Sequence, residues 1–302
     1  MSPHLFVLLL LAAVGKRGSA ARPVLKFSPN YSTIFQGEKI KMTCDSQPKE
    51  TEYAWFFNNA RIEGNKGNIY EIINAKVTQS GNYQCQTPDG SKSEMVTLNV
   101  TQGHLILQTA PYIHEGDRLI LKCHHNPGII GAKSTFYKNK AELRGWNEDP
   151  LFMELGITMN ASGVYSCIKN VSLDAKSSLS TAYATIKVKE LFTVPVISVT
   201  PNKVNLTCQA TASTYKLKTE LWYGFYKDGE NIQKFSPTNQ CKIPAGKGSG
   251  KYSCAVIPKT SSVTKKSEAI YLKSSKAALT QNIVGLALYE CILIMSFMFI
   301  LY

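Results

Sequence analysis

SGNYQC (80–85), SGVYSC (162–167) and SGKYSC (249–254) are one six-residue pattern written three times in the same chain. Each ends on a cysteine, and each is preceded by a second cysteine in a short alternating stretch: KMTC (41–44), ILKC (120–123) and NLTC (205–208). The two cysteines of a copy stand 41, 44 and 46 residues apart. Between them lies a third shared feature, an aromatic run entering a turn: AWFFNN (54–59), TFYKNK (135–140) and GFYKDG (224–229). A period of this kind is one supersecondary unit repeated, so the fold question becomes what a single copy does.

Apolar and polar residues alternate over short strands with a turn signal every ten residues or so, which predicts two packed sheets. Cysteines near the middle of facing sheets bridge across such a core, with an aromatic against the bridge: Trp55, Phe136 and Phe225 hold that place. The tyrosine two residues before the second cysteine (Tyr83, Tyr165, Tyr252) is placed to bond its hydroxyl back to the corner backbone. The three copies are therefore expected to be immunoglobulin-like β-sandwiches, over 22–101, 102–190 and 191–273, with bridges Cys44–Cys85, Cys123–Cys167 and Cys208–Cys254. Each bridge closes a loop of some forty residues and is expected to stabilise its unit by about 3–4 kcal/mol. The fold class is all-β, with short linkers that join the units at bent elbows.

Two cysteines stand outside the repeat. Cys241, in QCKIPAG, shares strand parity with Ile243 and is expected to point inward as a buried thiol; an intermolecular disulfide is the alternative. Cys291 lies in an apolar run at the other end of the chain.

The ends set the compartment. LFVLLLLAAV (5–14) followed by small residues reads as a secretory signal peptide over residues 1–20, with an uncleaved anchor as the alternative. Removing 20 of 302 residues leaves 282, enough for two or three domains. A secreted context favours disulfides. It also suits the five Asn-x-Ser/Thr acceptors at Asn30, Asn99, Asn160, Asn170 and Asn205, which are candidate glycosylation sites. Residues 274–282 form a stalk, and 283–302 are either a transmembrane helix or a lipid-anchor signal. As a helix these twenty residues would span about 30 Å, the hydrocarbon thickness. Glu290 would then lie inside the membrane, where an acidic side chain costs about 2.5–3.5 kcal/mol and marks a functional site. For the lipid anchor speak Ser275 and Ala277, the spacer ALTQN, and the absence of Lys or Arg after the run.

Charge excludes more than it identifies. The formal net charge is +13, of which Lys16 and Arg17 belong to the leader. The third copy with its stalk (191–276) holds 13 lysines against 4 acids. Such a surface suits anionic lipid or sulfated glycan, or is simply solvated. A secreted chain whose basic run lacks interleaved surface aromatics is not expected to bind nucleic acid. AGKGSGKY (245–252) is not a phosphate loop, because Ala245 replaces the first glycine and Tyr252 the hydroxyl residue that holds magnesium. His124 and His125 adjoin a cysteine committed to a bridge and have no further ligand at metal spacing. No catalytic residues, metal or cofactor are expected.

GHLILQTAPYIHEGDRLILKCHH (103–125) resembles the opening of the second domain of mammalian leukocyte Fc receptors, where a WLxLQTP…EGE…LxCHSW pattern is typical. KFSPNYSTIFQGEKIKMTC (26–44) resembles their first domain. FYKDGENIQ (225–233) and IPAGKGSGKYSC (243–254) resemble the third domain of the high-affinity IgG receptor and of Fc receptor-like proteins. The resemblance implies a cell-surface immune receptor that binds immunoglobulin Fc, or a related ligand, through second-domain loops. On this chain those loops fall at His104, His125, Asn126, Pro127, Trp146 and Lys169. His104 and Asn126 replace the two tryptophans that clamp an Fc proline in the family. Family members with an acidic residue in a FAVDTGL run assemble with the Fc receptor common gamma chain, and LALYECILI (286–294) is similar, with Glu290 in the acidic place. A plain immunoglobulin-superfamily adhesion protein is the competing expectation.

Overall fold

The computed structural model describes residues 21–173, 176–200, 205–216, 219–243 and 248–273. The expected leader, stalk, membrane segment, Glu290 and Cys291 lie outside them. Strands are the main regular element of the described chain; its helical segments are single 3-10 turns at Val77–Gln79 and Met159–Ala161. No helix among the described residues is long and apolar enough to cross a membrane.

Each copy folds as two sheets over its own core. In the first, strands Ala21–Ser28, Ile40–Gln47 and Ile69–Ile72 form one sheet. The facing sheet runs Thr33–Phe35, Val96–Thr101, Gly81–Gln86, Ala54–Phe57 and Ala60–Ile62. In the second copy, Leu151–Glu154, Leu119–His125 and Leu105–Gln108 face a four-stranded sheet of Ala141–Asn147, Ile130–Lys138, Gly163–Leu173 and Lys176–Ile186. In the third, Val196–Val199, Asn205–Gln209 and Gln240–Lys242 face a sheet centred on Leu221–Lys227 and Gly250–Pro258. These are tandem immunoglobulin-like sandwiches.

Alternation carries the packing. In IKMTC, Ile40, Met42 and Cys44 are buried while Lys41 faces solvent, as a half-buried strand requires. The bridges Cys44–Cys85, Cys123–Cys167 and Cys208–Cys254 join the two sheets of each unit, with Cα separations of 6.0, 6.0 and 6.2 Å. Trp55, Phe136 and Phe225 are fully buried and stand opposite Cys85, Cys167 and Cys254 in the strand register. Tyr83 donates its hydroxyl to the Gln79 carbonyl at 2.9 Å, and Tyr165 to that of Ala161 at 2.6 Å. Cys241 is a buried free thiol in the same core as Ile243, and burial pushes its pKa up.

One constraint explains the glycine of the repeat. The first residue of each aromatic-run turn aims its side chain at the backbone of the repeat motif. Asn58 accepts from the Asn82 amide at 2.9 Å, Asn139 from Val164 at 3.0 Å, and Asp228 from Lys251 at 2.8 Å. A Cβ on Gly81, Gly163 or Gly250 would stand 2.6, 2.9 or 2.7 Å from those same side chains. The turn on the neighbouring strand thus leaves no room for a side chain at the glycine, and at Gly250 the backbone itself, at φ 144°, also disfavours one.

These turns have two central residues in the left-handed region: Asn58 and Asn59, Asn139 and Lys140, Asp228 and Gly229. That is the type I′ geometry that matches strand twist. Lys140, at φ 71°, is the residue least suited to it. Lys140→Gly is expected to raise the stability of the second unit by about 0.5–1 kcal/mol, after the entropic cost of glycine. A rise of a few degrees in that unit's melting temperature checks it; a fall would show that the lysine side chain contributes more than its backbone costs.

Candidate functional site

The residues singled out in the second unit separate into two groups. His104, Asn126 and Pro127 come together at the elbow with the first unit. The Asn126 amide donates to the His104 carbonyl at 2.9 Å, and the Asn126 side chain accepts from Gly128 at 3.1 Å, which folds the loop into a tight turn. His104 and Pro127 are exposed on it. Trp146 is 49% exposed on the strand Ala141–Asn147, at the far edge of the four-stranded sheet, so it belongs to a different part of the surface.

Lys169 does not fit the surface role expected for it: it is 3% exposed. It lies two residues past Cys167 and shares that cysteine's inward parity, so its side chain runs between the sheets. Its ammonium lies 3.4 Å from the Cys123 carbonyl, a long contact. His125 is half-buried beside it, with a buried Nδ1 that has no hydrogen-bond partner. Burial lowers the pKa of both groups, and Lys122 nearby pushes each further down. His125 and Lys169 thus form an interior polar pair beneath the loop.

The elbow between the first two units is packed and hydrogen-bonded. His124 Nε2 lies 2.6 Å from Glu38 Oε1, and its ring is 5.3 Å from that of Phe35. Ser32 donates its amide to the Thr109 carbonyl at 3.0 Å, and the buried Gln108 side chain donates to the Thr33 carbonyl at 3.0 Å. Burial would raise the Glu38 pKa, but hydrogen bonds from His124 and the Phe35 amide outweigh it and bring the carboxyl below its usual range.

The elbow to the third unit is an ion-pair cluster. Lys265 pairs with Glu115 at 2.5 Å, both largely out of solvent, and the Leu191 amide donates to Glu115 at 3.0 Å. Asp117 pairs with Lys216, and the fully buried His114 sets its Nε2 2.8 Å from Ser213 Oγ. Tyr112 packs on the core of the first unit, and its ring lies 4.2 Å from Tyr215 of the third. The Lys189 ammonium sits 4.6 Å from the Tyr112 ring and 3.4 Å from the Tyr215 ring. Thr214 of the third unit also donates to Glu94 of the first at 3.0 Å. All three units therefore meet around Tyr112. In the sequence Tyr112, His114 and Asp117 carry no sign of this role, and His124 stands out only as one of two adjacent histidines without metal-ligand spacing. Two adjacent polar residues inside an alternating run, as in KCHH (122–125), were the available signal.

No group of acids, histidines and cysteines among the described residues is arranged to hold a metal ion.

Asp117 makes the third-unit elbow sensitive to acid. Burial raises its pKa, but bonds from His114 and Lys216 outweigh this and bring the carboxyl down to about 2. A depressed pKa stabilises the fold above the unfolded carboxylate value of about 4, and that stability is lost as pH falls toward 2. Asp117→Asn is expected to cost about 1–2 kcal/mol at pH 7, with allowance for its partial exposure, and to flatten the decline between pH 4 and 2. Thermal melts across that range check it; an unchanged acid slope contradicts it.

Comparison with known proteins agrees with this architecture. Residues 22–101 match the family model for the immunoglobulin domain. Mouse Fc receptor-like protein 5 is 27% identical over 91% of this chain and 48% of its own length. Human Fc receptor-like protein 4 is 29% identical over 88% of this chain and 53% of its own. The chain thus spans about half the length of these relatives. The mouse low affinity immunoglobulin gamma Fc region receptor III-A is 30% identical over 57% of this chain and 70% of its own length. Joined to the sandwiches with their three bridges, these matches show that the chain belongs to the leukocyte Fc receptor and Fc receptor-like family, a family of immunoglobulin-superfamily receptors and not of enzymes.

Proposed function

We propose that this protein is a cell-surface immune receptor that binds immunoglobulin Fc or a related protein ligand through the loops of its second domain. The observation that carries the reading is the exposed turn of His104, Asn126 and Pro127, presented on an elbow held by His124–Glu38 and Gln108–Thr33 contacts. The likeness to relatives named as Fc receptors favours this class of ligand. Imidazole and amide groups at His104 and Asn126 replace a pair of indoles, so the buried aromatic area of the familiar proline clamp is missing here. The ligand contact of this loop is therefore more polar than a pair of indoles would make it. Trp146, exposed on the same domain, is available as an aromatic anchor.

Surface plasmon resonance of the receptor against immunoglobulin classes tests this. Binding to at least one class is expected, and alanine at His104 or Trp146 should weaken it at least five-fold, about 1 kcal/mol each. Unchanged affinity in both folded variants would move the contact elsewhere. Binding to no class, with cell–cell aggregation instead, would favour the adhesion alternative.

Signalling is assigned to Glu290 and the Fc receptor common gamma chain. Support comes from the cost of an acid in hydrocarbon and the likeness of LALYECILI to the family's pairing run. Phosphatidylinositol-specific phospholipase C is expected to leave the receptor on expressing cells, and Glu290→Leu to abolish co-precipitation of the gamma chain. Release by the lipase would establish a lipid anchor and end the adaptor reading.

A further inference from the structure

A cleft of about 470 Å³ lies between the first and second domains. That is within the range of small-ligand sites, about 300–1,000 Å³. Its floor is the strand Leu105–Gln108, and its walls are Thr33 and Thr101 on one side and the edge of Lys176–Ile186 on the other. The lining holds no charged side chain. It holds hydroxyls, from Ser32, Thr33, Thr101, Thr181 and Thr185, and one aromatic, Tyr183, which is 70% exposed. Asn99 lies within the same lining, and so does Thr101, the third residue of its Asn-Val-Thr acceptor sequence. Asn99 also borders a second cleft of about 250 Å³, lined by Pro111 and Tyr112. The acceptor thus stands on a ridge between two openings of one interdomain joint.

Neutral hydroxyls beside an exposed aromatic are the chemistry of a carbohydrate site. Sugar hydroxyls exchange hydrogen bonds with threonines, and the apolar face of a pyranose stacks on a tyrosine ring. The walls are held in place by hydrogen bonds across the joint, Ser32 to Thr109 at 3.0 Å and Gln108 to Thr33 at 3.0 Å, with Asn99 bonded to Ser32 at 2.8 Å. A sugar attached covalently at the cleft is at high effective concentration, so weak contacts suffice to hold it there.

We propose that Asn99 carries an N-linked glycan whose first sugars lie in this cleft and fasten the first domain to the second. Attachment joins the Asn99 amide nitrogen to C1 of an oligosaccharide. The donor is a lipid pyrophosphate; its C1–O bond breaks, and the amide proton leaves with the lipid pyrophosphate. It takes place on the unfolded chain, so the strand position of Asn99 is no bar. The proposal rests on the secretory reading of the chain.

The test uses the full chain expressed in mammalian cells and purified in detergent. Glycopeptide mass spectrometry is expected to find sugar on Asn99. Peptide N-glycosidase F should release it from the native protein at least five-fold more slowly than from the denatured protein, whereas sugar on Asn30, which lines neither cleft, should come off at similar rates. Tyr183→Ala, which keeps the acceptor, should bring native release at Asn99 up to the Asn30 rate. Asn99→Gln should speed amide exchange at residues 105–107 and 181–185, while Asn30→Gln leaves it unchanged. Sugar on Asn30 but none on Asn99 would overturn the proposal, as would equal native release at both sites with unchanged exchange in Asn99→Gln. Sugar on no acceptor would overturn the secretory reading itself.

Discussion

Tyr112 touches all three domains. It packs on the core of the first, belongs to the second, and lies against Tyr215 of the third. The Lys189 ammonium over both rings fixes the pair, and burial with the neighbouring Tyr215 and Glu94 pushes the Tyr112 hydroxyl pKa up. An aromatic held in this way buries a large area at little conformational cost, which is why one residue can set the angle of two elbows. Around it the contacts change character. Toward the first domain they are backbone and amide hydrogen bonds with the His124–Glu38 contact; toward the third they are ion pairs at Asp117–Lys216 and Glu115–Lys265.

The sandwich itself was readable from the sequence because its rules are local. Alternation in KMTC and NLTC, the paired cysteines and the tyrosine two residues ahead each follow from the geometry of a single strand. The inward parity of Cys241 was legible for the same reason. The glycine of the repeat was visible only as a recurring letter. Its cause lies on another strand, in the turn side chains of Asn58, Asn139 and Asp228, and becomes apparent only once the strands are paired.

The candidate site was legible to a lesser degree, for a physical reason. Loop positions do not alternate, so sequence parity says nothing about which side chain faces out. His104, Asn126 and Pro127 were placed by likeness to a family, and the structure brings them to one turn. Lys169 was placed by the same likeness, although its parity with Cys167 already marked it as interior. The joint residues Tyr112, His114, Asp117 and His124 lie inside the family-like stretch 103–125, but nothing in that likeness marks them as contacts between domains. Their partners, such as Ser213 and Glu38, are 99 and 86 residues away for His114 and His124, and no local pattern encodes contacts of that range.

The account holds that the three domains form one fixed assembly folded around Tyr112. Pulsed electron resonance between a spin label on exposed Lys49 of the first domain and one on exposed Lys259 of the third measures this directly. A single narrow distance is predicted, broadening when Tyr112 is replaced by alanine. A broad distribution in the unaltered receptor, as from domains that swing freely on their linkers, would contradict it.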